Sequence, residues 1–190
     1  MTNQAWGKEV DKKSNIALIG MPGSGKSTVG VFLAKALQMR FVDTDALIRE
    51  REGIPLADII KKKGSAYFST IEESVVTGLT GNGLVIATGG SVVLLPKAMD
   101  HLAKIARIVY LEADLWLIKK RLWNFRTRGI VASPGMSIER LFHDRRPLYR
   151  QYAEVTVRVR RKRPDRVAAD IAEALKHKED PKANAPDPQN

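Results

Sequence analysis

The sequence predicts an α/β protein with a parallel sheet covered by helices on both faces. Short apolar segments alternate with amphipathic segments along the chain. The first apolar segment ends in a glycine turn, and a segment with apolar residues three and four positions apart follows it. Ligands of such sheets bind at the carboxyl ends of the strands, so the residues after each strand are the candidates for a site.

Apolar runs bounded by turn residues predict the strands, which cover residues 15–20, 41–42, 84–87, 105–111 and 155–159. Helical spacing of apolar residues predicts a helix from near residue 26, a helix after Asp114, and helices that cover residues 64–80, 137–152 and 165–176. The order strand, glycine turn, helix at residues 15–37 is typical of a phosphate-binding unit.

Length and composition indicate one domain over residues 15–176, because the chain has 190 residues of which 44% are hydrophobic. Residues 1–14 and 177–190 are polar and are predicted to be tails. Residues 123–136 contain Asn, Gly, Pro and Ser and predict a mobile loop. The chain has no cysteine, which excludes disulfides and thiolate sites, and its apolar runs are too short to span a membrane. We expect a cytoplasmic protein.

The net charge indicates an anionic partner. Lys and Arg number 32 and Asp and Glu number 21, which gives 32 − 21 = +11. Nucleic acid, nucleotide phosphates and acidic metabolites all fit this charge. The basic stretch at 158–166 has no interleaved aromatic residues, so we favour a solvated strand end over a nucleic-acid surface. The expected partner is therefore a small molecule, with neither nucleic acid nor membrane, and we expect a monomer.

Residues 20–27 read GMPGSGKS and match the P-loop pattern G-x-x-x-x-G-K-[ST]. The glycines allow successive backbone N–H groups to point at phosphate oxygens, and the following helix directs its positive end at the same anion. Lys26 is expected to reach the β- and γ-phosphates, and Ser27 to bind Mg²⁺ through its hydroxyl. A plain glycine-rich turn is the alternative.

Asp43 and Asp45 follow the second strand, within the segment FVDTD. Phosphoryl transfer uses one carboxylate to hold Mg²⁺ and another to orient or deprotonate the attacking hydroxyl. We expect an extended segment here, with the two side chains in separate roles. We assign Asp43 to the metal and Asp45 to the acceptor. A turn with a helix N-cap is the alternative.

The chain resembles the shikimate kinase family over residues 15–176, through the ordered segments GMPGSGKSTVG, FVDTD, ATGGS, RTRGIV and RRPLY. The resemblance implies a three-layer P-loop kinase fold with a five-stranded parallel sheet. It also implies transfer of the γ-phosphate of ATP, with Mg²⁺, to a hydroxyl of shikimate in aromatic amino-acid biosynthesis. The loop at 123–136 would be a lid that closes over the site.

The resemblance also implies roles for single residues. Asp45 would bind the acceptor and approach its reacting hydroxyl, and Arg128 would close on the transferring phosphate. Gly89 and Gly90 would let the substrate lie close to backbone N–H groups, and Arg145 would grip its carboxylate. The residues expected to bind the nucleotide are Gly20, Met21, Pro22, Gly23, Ser24, Gly25, Lys26, Ser27, Thr28, Arg121 and Pro164, the last two beside the adenine.

Three positions depart from the family pattern. Ser69 stands where the F-R-x-x-E segment supplies a second carboxylate-binding arginine, Ser91 replaces the third glycine of A-T-G-G-G, and Gly129 replaces a proline after the lid arginine. A basic residue among 61–63 is a candidate substitute for the arginine. Two alternatives therefore stay open: a kinase for another small hydroxylated metabolite, and a ligand sensor without catalysis.

Overall fold

The computed structural model describes residues 14–122, 136–160 and 162–179. Its strands are β1 (Asn15–Ile19), β2 (Arg40–Asp43), β3 (Leu84–Ala87), β4 (Ala106–Ala113) and β5 (Val155–Val159). They form a five-stranded sheet in the order β2-β3-β1-β4-β5, and every neighbouring pair is parallel. The predicted five-stranded parallel sheet is confirmed.

The helices in the described residues are α1 (Lys26–Leu37), α2 (Thr44–Glu52), α3 (Leu56–Thr77), α4 (Pro96–Ile105), α5 (Leu115–Arg121), α6 (Ile138–Tyr152) and α7 (Pro164–Glu179). Helices α1 and α7 pack against each other, whereas α4 packs against α3 and β4. Helices thus cover the sheet in the predicted three-layer arrangement. In this part of the chain, no helix is both long and apolar enough to cross a membrane.

Strand β1 lies at the centre of the sheet, and all five of its residues are buried. Its Leu18 is paired with Ala87 of β3 on one side and with Val109 of β4 on the other. A strand covered by helices on both faces has no solvated side, which explains why β1 reads as an almost continuous apolar run. The glycine turn that follows β1 therefore lies in the middle of the carboxyl edge.

The expected extended segment is found at Asp43, the last residue of β2, and is wrong for Asp45, because helix α2, which was not predicted, begins at Thr44. Asp43 is the N-cap of α2, and its Oδ1 accepts a hydrogen bond of 3.0 Å from the backbone N–H of Ala46. Asp45 lies in the first turn of α2. An aspartate is among the best N-cap residues, because its carboxylate satisfies an amide that has no partner within the helix.

Two helices differ from the prediction for local reasons. The helix expected over 64–80 begins earlier, at Leu56, and Gly64 interrupts it with φ 85° and ψ 165°. The glycine adopts a conformation that side-chain-bearing residues avoid, so two helical segments join there without a loop. Helix α4 was not predicted; it starts with Pro96, a favourable first residue, and buries Ala98, Met99 and Leu102.

Asn15 ties the start of β1 to the start of β3. Its Nδ2 donates to the carbonyl of Gly81, and its Oδ1 accepts from the N–H of Leu84, both at 2.9 Å. Only 1% of Asn15 is exposed, so water cannot replace these bonds. The side chain therefore fixes where two central strands begin.

We expect Asn15→Ala to lower the free energy of unfolding by about 1–3 kcal/mol, because it leaves the buried N–H of Leu84 without a partner. Urea denaturation measures this loss. Asn82→Ala is the matched control, since Asn82 is exposed, and its effect should stay within about 0.5 kcal/mol. Equal stability of the two variants would contradict the role given to Asn15.

Candidate active site

A cavity of about 760 Å³ opens where β1, β2 and β3 end. We call one part of its lining the loop wall, which consists of residues 22–28 with Lys120, Arg121, Lys162 and Pro164. We call the other part the Asp45 wall, which consists of Asp45, Arg49, Leu56, Phe68, Ser91 and Arg145. One space therefore joins the predicted nucleotide residues to the predicted acceptor residues.

The glycines of the loop wall shape a cradle for phosphate. Gly25, directly before α1, has φ 102°, in the left-handed region that favours glycine. Gly20 has φ 145°, and a Cβ there would lie 2.8 Å from the carbonyl oxygen of Leu111. The first-turn amides of α1 have no partner within the helix and carry its positive dipole end. The loop is thus built to bind an anion.

Lys26 lies inside this loop and is only 7% exposed. Its Nζ donates to the carbonyl oxygens of Gly20 at 2.8 Å and Met21 at 3.0 Å. Burial lowers the pKa of Lys26 to about 8, although the carboxylates of Asp45 and Asp43 act in the opposite direction. The side chain is therefore a buried donor held ready by carbonyls that phosphate oxygens can replace.

Arg121, at the end of α5, bonds directly to the loop. Its Nη1 donates to the carbonyl oxygens of Gly23 at 3.0 Å and Ser24 at 3.1 Å. Pro164, the first residue of α7, lines the same wall. Both residues predicted beside the adenine thus lie next to the loop, and their contact with a base stays a prediction.

Arg145 and Tyr149 lie one turn apart on α6 and share one acceptor. The guanidinium of Arg145 donates to the carbonyl oxygen of Gly90 at 3.1 Å, and the Tyr149 hydroxyl donates to it at 2.6 Å. The ring of Tyr149 also stacks on Tyr110, with centroids 5.2 Å apart. These contacts hold Arg145, which is 3% exposed, in the Asp45 wall.

Asp45 faces the cavity from the first turn of α2. Burial raises its pKa above the ordinary value, and the positive charge of Lys26 partly opposes this shift. Asp43 raises the pKa further, and Arg49 lowers it. A carboxylate with a raised pKa is a stronger base, which suits a group that accepts a hydroxyl proton.

Glu72 of α3 was not included among the predicted site residues. It is fully buried, and its Oε2 accepts a hydrogen bond of 2.6 Å from the Ser91 hydroxyl. Within the described residues its Oε1 has no hydrogen-bond partner. Burial raises the pKa of Glu72 to about 7, with a smaller upward effect of Asp45. The signal available in the sequence was its place at the end of the F-S-T-I-E stretch.

Several predicted site residues lie beside the cavity and do not line it: Gly20, Met21, Asp43, Gly89 and Gly90. The N–H of Gly89 donates to Thr44 Oγ1 at 3.2 Å. A Cβ on Gly89 would collide with the Glu72 carboxylate, so this glycine makes room for a carboxylate. Arg128 and all of the predicted lid except Met136 lie outside the described residues.

The residues present fit a nucleotide with a divalent cation. Ser24 Oγ is buried with no hydrogen-bond partner in the described residues, and the exposed Ser27 lines the cavity. In the same part of the chain, no group of three or more His, Cys, Asp or Glu residues could hold a metal on its own. This donor set matches Mg²⁺, which is commonly held by one or two protein groups together with phosphates and water.

Comparisons with known proteins agree with this arrangement. A family model described as SKI: Shikimate kinase matches residues 22–176. The shikimate kinase of Sulfurihydrogenibium sp. (strain YO3AOP1) is 36% identical over 165 residues, which cover 86% of this chain and 99% of the relative. That of Mycobacterium avium (strain 104) is 40% identical over 161 residues, which cover 83% and 91%.

Solved structures give the same result. The shikimate kinase from Acinetobacter baumannii in complex with shikimate superposes with a TM-score of 0.81 at 30% identity, covering 88% of this chain and 95% of that chain. The shikimate kinase from Aquifex aeolicus vf5 superposes with a TM-score of 0.76 at 32% identity, covering 87% and 98%. The similarity thus spans both the loop wall and the Asp45 wall.

We expect Glu72→Gln to remove a pH-dependent loss of stability. In the folded protein the pKa of Glu72 is about 7, above its ordinary value of 4.5. Ionisation of the buried carboxyl therefore destabilises the fold as pH rises from about 4.5 through about 7. This difference in pKa corresponds to roughly 3 kcal/mol in the free energy of unfolding. Urea denaturation at pH 4.5 and at about pH 8 measures it, with the exposed Glu50→Gln as control. Parallel pH profiles for wild type and Glu72→Gln would contradict the assignment.

Proposed function

The chain belongs to the shikimate kinase family, and we propose that the cavity between the loop wall and the Asp45 wall carries out the family reaction. The enzyme transfers the γ-phosphate of ATP to a hydroxyl of shikimate, and it uses ATP with Mg²⁺. The residue assignment rests on the cavity, because Lys26, Asp45 and Arg145 all line it.

On the nucleotide side, the loop amides and the first turn of α1 bind the phosphates of ATP. Lys26 exchanges the carbonyl oxygens of Gly20 and Met21 for phosphate oxygens and stabilises negative charge on the transferring group. Arg121 holds the loop in shape, and together with Pro164 it flanks the adenine. The remaining residues of 20–28 complete the phosphate contacts.

Ser27 and Asp43 would hold the magnesium ion. Mg²⁺ supplies positive charge that offsets the charge of the phosphate oxygens. The N-cap of α2 uses Oδ1 of Asp43, so Oδ2 is the oxygen assigned to the metal side. Because a capping carboxylate cannot rotate freely, the cap orients Asp43 for this role.

On the acceptor side, Asp45 orients the reacting hydroxyl of shikimate and accepts its proton. Its raised pKa favours proton acceptance, and the nearby Lys26 stabilises the ionised form before transfer. Arg145 binds the substrate carboxylate, in a position set by Gly90 and Tyr149. Gly89 and Gly90 let the substrate approach the end of β3.

We assign the lid to residues 123–136, with Arg128 closing on the transferring phosphate. The support is the sequence segment RTRGIV and the position of this stretch directly after Arg121 and Leu122, which lie next to the loop. Closure would exclude water and so limit hydrolysis of ATP. Helix α7 continues to Glu179, beyond the expected end of the domain at residue 176, so we assign residues 1–14 and 180–190 as tails outside the kinase domain.

We further propose a cytoplasmic monomer with no nucleic-acid partner. The basic stretch at 158–166 supports the last point, because three of its cations bind carboxylates of the same chain. Arg158 pairs with Glu112 at 3.3 Å, Lys162 with Asp170 at 2.6 Å, and Arg163 with Asp165 at 3.2 Å. Residues engaged in this way are typical of a solvated surface.

We expect shikimate-dependent release of ADP from ATP and Mg²⁺ by the purified wild-type protein. Lys26→Ala should abolish this turnover, because it removes the buried cation beside the transferring phosphate. A coupled assay for ADP, with and without shikimate, measures both. Turnover with another hydroxy acid but none with shikimate would contradict the assignment of shikimate as the substrate. Near-normal turnover by Lys26→Ala would contradict the role of Lys26 in phosphoryl transfer.

Asp45→Asn should lower kcat by about 10²- to 10⁴-fold, because an amide cannot accept the hydroxyl proton. The KM for ATP should change little, since Asp45 lies outside the loop wall. Steady-state kinetics with each substrate varied separate the two effects. Asp100→Asn is the control, because Asp100 is exposed on α4. An unchanged kcat for Asp45→Asn would show that Asp45 does not accept the hydroxyl proton.

A further inference from the structure

We infer that Arg49 supplies the second positive charge for the carboxylate of the acceptor, in place of the arginine that Ser69 lacks. The inference rests on the proposed function, because it names a further substrate-binding residue of the same site. A carboxylate held by a single guanidinium is less firmly oriented than one between two cations. Residue 69 therefore does not supply the second carboxylate-binding cation of the Asp45 wall.

The position of Arg49 fits that role. Arg49 and Asp45 lie four residues apart on α2, hence one turn apart on the same face, and both line the cavity. The charge of Arg49 lowers the pKa of Asp45, which places the guanidinium within electrostatic range of the reacting carboxylate. Phe68, the residue before Ser69 in the chain, lines the same wall.

The lysines suggested by the sequence do not fill this role. Residues 61–63 are exposed, and none of them lines the cavity. Lys63 is engaged elsewhere, since its Nζ donates to Glu52 at 2.8 Å and to the Tyr67 hydroxyl at 3.2 Å.

The other cations that line the cavity lie on its nucleotide side. Lys26, Lys120, Arg121 and Lys162 all lie in the loop wall. Among the described residues, Arg49 and Arg145 are the cations of the Asp45 wall. Arg49 is exposed, so its long side chain can turn toward a ligand at the mouth of the cavity. Two arginines then face the acceptor from α2 and α6.

Ser91, which replaces the expected third glycine, contacts Glu72. Its hydroxyl donates to the Glu72 carboxylate, a bond that a glycine at this position could not make. Arg145 is near enough to lower the pKa of Glu72, so a charged Glu72 would compete with the substrate carboxylate for Arg145. A second cation at Arg49 offsets this competition.

The test is Arg49→Met, which keeps an unbranched apolar side chain and removes the charge. We expect the KM for shikimate to rise about 10- to 100-fold with little change in the KM for ATP. Arg49→Lys should recover most of the loss. Arg51→Met is the matched control on the same helix, because Arg51 bonds to Ser74 Oγ at 3.1 Å, away from this cavity, and should keep the wild-type KM.

The methyl ester of shikimate distinguishes charge recognition from a structural effect. The wild type should discriminate strongly between the acid and the uncharged ester, and Arg49→Met should discriminate about 10-fold less. An unchanged KM for shikimate in Arg49→Met overturns the inference, and so does an equal loss for acid and ester. A wild-type enzyme inactive on shikimate contradicts the proposed function instead.

Discussion

The structure depends on the burial of Lys26 at the end of the central strand. A buried cation is costly unless opposite charges or dipoles lie nearby. The carbonyl oxygens of Gly20 and Met21 accept hydrogen bonds from its Nζ, and Asp43 at the end of β2 and Asp45 at the start of α2 balance its charge. The same compensation assembles the groups that phosphoryl transfer needs, because β1, β2 and β3 end at one edge of the sheet.

A second set of contacts fixes the acceptor side. The carbonyl of Gly90 receives hydrogen bonds from Arg145 and Tyr149, and the Tyr110 ring packs on Tyr149. The end of β3 is thereby joined to α6, although the two are more than fifty residues apart in the chain. The position of Arg145 depends on this connection, since a long side chain is positioned only when its donors find fixed acceptors.

The altered residues of the acceptor pocket form a connected set. Ser91 bonds to Glu72, Glu72 lies near Asp45 and Arg145, and Arg49 lies one turn from Asp45. A change at one of these positions alters the charge balance at the others, because water is largely excluded and screening is weak. The charges of Asp45, Glu72 and Arg145 are therefore coupled across the pocket.

The sequence alone determined the phosphate loop, the parallel sheet and the family, because these rest on contiguous motifs and on the alternation of strands and helices. It did not determine the start of helix α2 at Thr44, the break at Gly64 or helix α4, where capping and packing outweigh the local pattern. Only the tertiary structure brought Glu72 and Arg49 to the site. Their burial, charges and neighbours come from segments distant in the chain, and such contacts leave no local signal in a sequence.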